Sequence, residues 1–161
     1  MDQERMKLFA VFILRLNLGI YGILSATARW ALDKAIEHEI TTVAGLESPL
    51  PNLYWAIYFP MGNAATGFLI MFALIAGVAG GVSCLSGFQH SRSWTRNTFA
   101  SATSAAFTAW GLTLLAMGLA CKEMQLQGRN LLLKTVESFV IILSATQLLY
   151  IVAVTHIGIP Q

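Results

Sequence analysis

Polar side chains are scarce inside the apolar stretches of this chain, and those present fall at related distances along them. Arg15 and Asn17 interrupt one stretch, Ser104 and Thr108 lie in another, and Gln147 and Tyr150 in a third. A guanidinium stays charged and grips a carboxylate through two parallel hydrogen bonds. Carboxamides both donate and accept, so Asn17 and Gln147 can bond across helices. These residue types fit a small organic anion, with Arg15 as its fixed cation. A structural reading stands beside it, in which Arg15 extends to the lipid headgroups and the amides join helices.

A second charged group comprises Arg29, Lys122, Glu123, Lys134 and Glu137. Lys134 and Glu137 are three residues apart and can pair within one helical turn. Glu137 lies deepest and calls for a cation, from Arg29 or Lys122. The group reads either as paired structural charges or as a mouth that attracts and releases an anion. Catalytic and metal chemistry find no such support. His38 lies between Glu37 and Glu39, which point to different sides of a helix and make no metal site. His90 and His156 stand alone, and no phosphate-binding glycine loop, thiol pair or serine elbow is present. Neither an enzyme nor a cofactor is expected.

Four apolar stretches, residues 8–31, 64–88, 98–121 and 131–155, must position these groups. A hydrocarbon core about 30 Å thick needs about 20 helical residues at ~1.5 Å each, and every stretch is that long. Apolar residues make up 56% of the chain and charged ones 11%, against about 25% charged in an average soluble domain. That leaves too little polar surface for a globule in water. The expected fold is all-α: an antiparallel bundle of four transmembrane helices, one membrane domain over residues 1–161, with a long first loop at 32–63. A net charge of +2 without a polybasic run argues against nucleic acid. The expected partner is the lipid bilayer.

Arg5, Lys7 and Ala26-Thr27-Ala28 resemble a secretory signal, but the stretch exceeds a signal core and Arg15 and Asn17 interrupt it. It reads as a retained first span. Cys84 and Cys121 end successive, opposed spans and are expected on opposite faces, too far apart for a disulfide. In the first loop, Asp33 to Glu39 can extend the first helix, and Pro49 and Pro51 break regular structure. The aromatic segment 53–59 is too short to span; it suits the lipid–water boundary or a lid. The later connections are short, with Gly128 as a turn residue, so the last three helices are antiparallel neighbours.

Taking Ile20 and Ser144 as midpoints sets Asn17 level with Gln147, and Arg15 level with Leu149 and Tyr150. Ser104 and Thr108 of the third span share that depth. Arg15, Asn17, Ser104, Thr108, Gln147 and Tyr150 are therefore expected in one polar cluster in the inner half of the bundle. Packing in lipid relies on close backbone approach. Ala73, Gly77 and Gly81, with Gly80 beside them, form a small-residue stripe on the second span; Ala102, Ala106 and Ala109 form another on the third. The stripes are expected to face each other, with a homodimer through Gly77 and Gly81 as the alternative. The basic connection bearing Arg92 and Arg96 argues for a cytosolic second loop, hence cytoplasmic termini.

The run Ser101-Ala102-Thr103-Ser104-Ala105-Ala106 leads to Ala109-Trp110-Gly111-Leu112-Thr113-Leu114-Leu115-Ala116 and Gly118-Leu119-Ala120-Cys121-Lys122-Glu123. With Glu137-Ser138-Phe139-Val140, Thr146-Gln147-Leu148-Leu149-Tyr150 and His90-Ser91-Arg92-Ser93-Trp94, these closely resemble the plant AWPM-like family, named for an abscisic-acid-induced wheat plasma-membrane polypeptide. The resemblance implies a four-span plasma-membrane protein of dehydration, cold and seed-maturation responses. It further implies admission of abscisic acid, a small weak acid with a ring and a carboxylate. The residues then read as Arg15 attracting the acid, Asn17 and Gln147 orienting it, and Trp110 and Tyr150 contacting its apolar part. The alternative is a scaffold without transport, acting through lipid, a homo-oligomer or another membrane protein.

Overall fold

Prolines explain where helix is allowed. All four lie at positions 49, 51, 60 and 160, outside the apolar stretches, so no stretch loses a backbone donor to a proline ring. Within lipid, backbone N–H and C=O groups have no water to bond, and a helix satisfies them internally. A computed structural model describes residues 3–44, 64–93, 95–124 and 131–158. Its helices are α1 (Gln3–Ala44), α2 (Ala64–Ser93), α3 (Arg96–Glu123) and α4 (Leu131–Gly158). All four contain segments long and apolar enough to cross a bilayer. Segment 53–59 and Gly128 lie outside the described residues.

The helices form a four-cornered bundle. α1 and α3 each pack on α2 and α4, and α2 also approaches α4 across the middle. Ala10 of α1, His90 of α2 and Val154 of α4 border one small cavity. The start of α1 therefore lies beside the ends of α2 and α4, and sequential helices run in opposite directions. Inside, Leu14, Leu24, Leu69, Ile70, Leu133 and Leu143 are fully buried. The outside is apolar as well, with Phe12 63%, Leu85 58% and Leu115 57% exposed. Water would not tolerate that surface, whereas lipid matches it.

The turn between α2 and α3 is tied by side chains. His90 Nδ1 and Thr98 Oγ1 are 3.0 Å apart, and the Phe99 ring meets the imidazole edge-on at 5.7 Å between centroids. Thr95 caps α3 in extended conformation, and its carbonyl accepts from the Phe99 N–H at 3.0 Å.

Glycines set the closest approach, although against a different neighbour from the one expected. A methyl group at Gly77 would overlap Ser25, and one at Gly80 would overlap the Tyr21 ring. Both partners lie on α1, so this side of α2 packs on α1 and not on the alanine stripe of α3. Gly81 faces open space. Gly80 shares an azimuth to within about 20° with Gly87, whose added methyl would meet Tyr150 and Leu14. A step of four residues from Gly77 turns Gly81 about 40° off its line, and three residues to Gly80 turns about 60° the other way. Ala102, Ala106 and Ala109 are all buried.

Gly80→Ala should destabilise the protein in detergent by about 1–3 kcal/mol, because the Tyr21 ring must move. Gly81→Ala should change stability by no more than about 1 kcal/mol. Chemical unfolding of the two variants measures the contrast, and equal losses would contradict this packing.

A polar layer joining four helices as the candidate site

Gln147 projects from α4 into the bundle, where it is fully buried. Its Oε1 accepts from Asn17 Nδ2 of α1 at 2.9 Å. Its Nε2 donates to Ser83 Oγ of α2 at 3.3 Å and approaches the Ala106 carbonyl of α3 at 3.5 Å. One carboxamide thus touches every other helix. A carbonyl can only accept, so Ala106 fixes which end of the Gln147 amide faces it, and with that the orientation of Asn17. Asn17 is also fully buried, and its Oδ1 finds no hydrogen-bond partner among the described residues. Leaving a buried acceptor unmet costs about 1–3 kcal/mol.

One turn along α1 lies a second polar contact. Tyr21 OH and Thr113 Oγ1 are 3.0 Å apart, both buried. Thr113 donates its own proton to the Ala109 carbonyl at 2.8 Å, so the tyrosine is the donor. On the other side of the amide layer, Tyr150 follows Gln147 by three residues and closes over Gly87. With Leu14 it borders the cavity beside Ala10, His90 and Val154, whose volume of about 10 Å³ admits no more than a single water. Tyr150 is buried and makes no hydrogen bond among the described residues.

Of the residues expected to cluster, Asn17 and Gln147 meet, with Tyr150 one turn away. Arg15, Ser104 and Thr108 do not join them. All three are exposed on outer faces of the bundle. The Ser104 hydroxyl donates to the Ser101 carbonyl and the Thr108 hydroxyl to the Ser104 carbonyl, each at 3.0 Å, within their own helix. The reason is azimuth: two residues along a helix turn about 200°, which puts Arg15 opposite Asn17 and both hydroxyls opposite Ala106. Trp110 is half-buried, and its indole N–H donates to the Ser144 carbonyl at 3.0 Å, joining α3 to α4. At the other end, Arg29, Lys122 and Lys134 are exposed, while Glu137 is buried; the Glu123 side chain lies outside the described residues.

Three members of the interior set were not among the residues expected to cluster: Ser83, Tyr21 and Thr113. Two were readable from spacing. Tyr21 follows Asn17 by four residues, and Thr113 follows the buried Ala109 by four, so each extends a face already identified. Among the described residues no three histidine, cysteine or acidic groups converge as metal ligands, and Cys84 and Cys121 are free thiols.

The sequence matches known proteins along most of its length. Residues 15–158 match the AWPM-19-like family. The Membrane protein PM19L of Oryza sativa subsp. japonica is 41% identical over 148 residues, which cover 91% of this chain and 76% of that protein. No solved structure gives a significant match.

A double-mutant cycle with Asn17→Ala and Gln147→Ala should give a coupling of about 0.5–2 kcal/mol, the range for hydrogen bonds between membrane helices. The same cycle with Arg15→Ala and Gln147→Ala should give none. Denaturant titration in detergent reads both.

Proposed function

The chain belongs to the AWPM-19-like family, and from that premise we propose that it facilitates influx of abscisic acid, a small weak organic acid, across the plant plasma membrane. The observation that carries the proposal is the buried carboxamide of Asn17, which sits in a layer shared by all four helices with an acceptor left over. Polar groups inside a membrane are costly, and they mark substrate pathways more often than lipid-facing decoration. The cluster lies between the four helices, and Tyr150 leads from it toward the cavity at the end that holds the start of α1 and the end of α4. In this reading Asn17 and Gln147 orient the acid, and Tyr150 and Trp110 contact its apolar body. Arg15 acts from outside the bundle: its long side chain reaches toward the headgroups and gathers the anion at the surface. The termini and the basic turn with Arg92 and Arg96 face the cytosol.

A second reading draws support from the same cavity. A space of about 10 Å³ holds no hormone, and a stress-related scaffold that binds lipid, a second copy or another membrane protein needs no opening at all. Its mark is a stoichiometric partner that co-purifies with a protein inert in transport.

Uptake of labelled abscisic acid by vesicles containing the purified protein separates the two. Saturable uptake above protein-free vesicles is expected, with Asn17→Ala or Gln147→Ala slowing it by about tenfold, equivalent to about 1.4 kcal/mol of barrier. Arg15→Ala should slow it by only about twofold, as expected for a surface charge acting on encounter. Uptake no faster than in protein-free vesicles, from protein shown to be folded, rules out the transport reading.

A further inference from the structure

We infer that the Asn17 carboxamide recognises the un-ionised carboxyl group of its ligand, so that the bundle binds the neutral acid and excludes the anion. The inference rests on the weak-acid reading above and specifies the protonation state that the interior accepts.

Its first support is the free edge of Asn17. The Gln147 amide turns its Nε2 to Ser83 and Ala106, away from Asn17 Oδ1, so the two amides do not close on each other as a pair. Asn17 Nδ2 carries two hydrogens and meets one acceptor, Gln147 Oε1. An acceptor and a spare donor therefore stand on one planar group. A neutral carboxyl group is their complement, with an O–H for Oδ1 and a C=O for Nδ2. A carboxylate has no proton to give and would set its charge against Oδ1.

The second support is independent of that edge. The buried polar and charged residues are Asn17, Thr66, Ser83, His90, Thr113, Glu137 and Gln147, with no lysine or arginine among the described interior. Arg15 lies on the lipid-facing side of α1. An anion brought to Asn17 would lose its hydration without gaining a counter-charge from Arg15, and burial of an uncompensated charge is prohibitive. Among the described residues, the titratable groups turned inward are Tyr21 on α1, Cys84 and His90 on α2, and Glu137 and Tyr150 on α4, with none on α3. Glu137 stands ten residues from Gln147 along α4, about 15 Å by helical rise.

Access fits the same picture. Leu14 and Tyr150, each three residues from a member of the amide layer, border the cavity on its inner side. The Tyr150 ring closes this path, and its hydroxyl bonds no described residue, so turning it aside breaks no such bond.

Equilibrium binding to the purified full-length protein in lipid nanodiscs tests the inference with three probes: labelled abscisic acid, its primary amide and its methyl ester. The apparent Kd of the acid should rise about tenfold for each pH unit above its own pKa, following the neutral fraction. The primary amide, which keeps a donor and an acceptor and never ionises, should compete equally at about pH 5 and about pH 8, where carboxyl groups change from part-protonated to ionised. Its constancy controls for any pH response of the protein itself. The methyl ester, lacking the donor, should compete at least about tenfold less well. Asn17→Ala should remove the difference between amide and ester. A pH-independent Kd for the acid, or an ester that competes as well as the amide, overturns the inference and leaves the transport reading standing. Absence of saturable binding by every probe overturns both.

Discussion

Lipid offers no hydrogen bonds, and that single deficiency organises the interior of this protein. A polar side chain turned inward must find its partner on another helix or go without. Gln147 shows how far one residue can serve this need. Its carboxamide accepts from α1 and donates toward α2 and α3, so the register of all four helices is read at one point. Leu14 and Leu143, each within a turn of that layer, are buried but carry no such instruction, since apolar groups in lipid gain little by choosing protein over acyl chains. The polar layer contributes specificity, and the glycines at 77 and 80 supply the close approach that lets short side chains reach across.

The same deficiency gives the unmatched oxygen of Asn17 its significance. In a soluble protein a stray acceptor can borrow a water molecule. Here it lies inside a bundle of helices long and apolar enough to cross a membrane, in a chain 41% identical to a relative named as a membrane protein. The outward placement of Arg15 sharpens the contrast. Under the proposed function, a cation on the lipid-facing surface and a neutral amide in the interior would divide the handling of a weak acid between two places, the first electrostatic and the second by hydrogen-bond pattern.

Much of this was legible in the sequence. The four apolar stretches carry the helical membrane architecture, and counting rise from assumed midpoints put Asn17 and Gln147 at one level. Depth alone was insufficient for Arg15, Ser104 and Thr108, because rise along the axis says nothing of azimuth. The alanine stripe at 102, 106 and 109 already defined the inner face of α3, and it leaves Ser104 and Thr108 on the other side. The choice of α1 as the neighbour of Gly77 and Gly80 was not legible in the same way. A small residue permits close approach from any helix, and which helix comes near depends on the order of the four around the axis. That order is a property of the assembled bundle. Ser83 was hidden for another reason: serine is common in membrane helices, and only its partner sets it apart.

The bond between Tyr21 and Thr113 spans opposite corners of the bundle. Four parallel rods held only along their edges form a square that can slump into a rhombus without losing an edge contact. Here one diagonal is braced by the phenol of Tyr21 and the other by Gln147 reaching Ser83. Any slumping lengthens one diagonal, so such a shear breaks a hydrogen bond in lipid, where nothing replaces it.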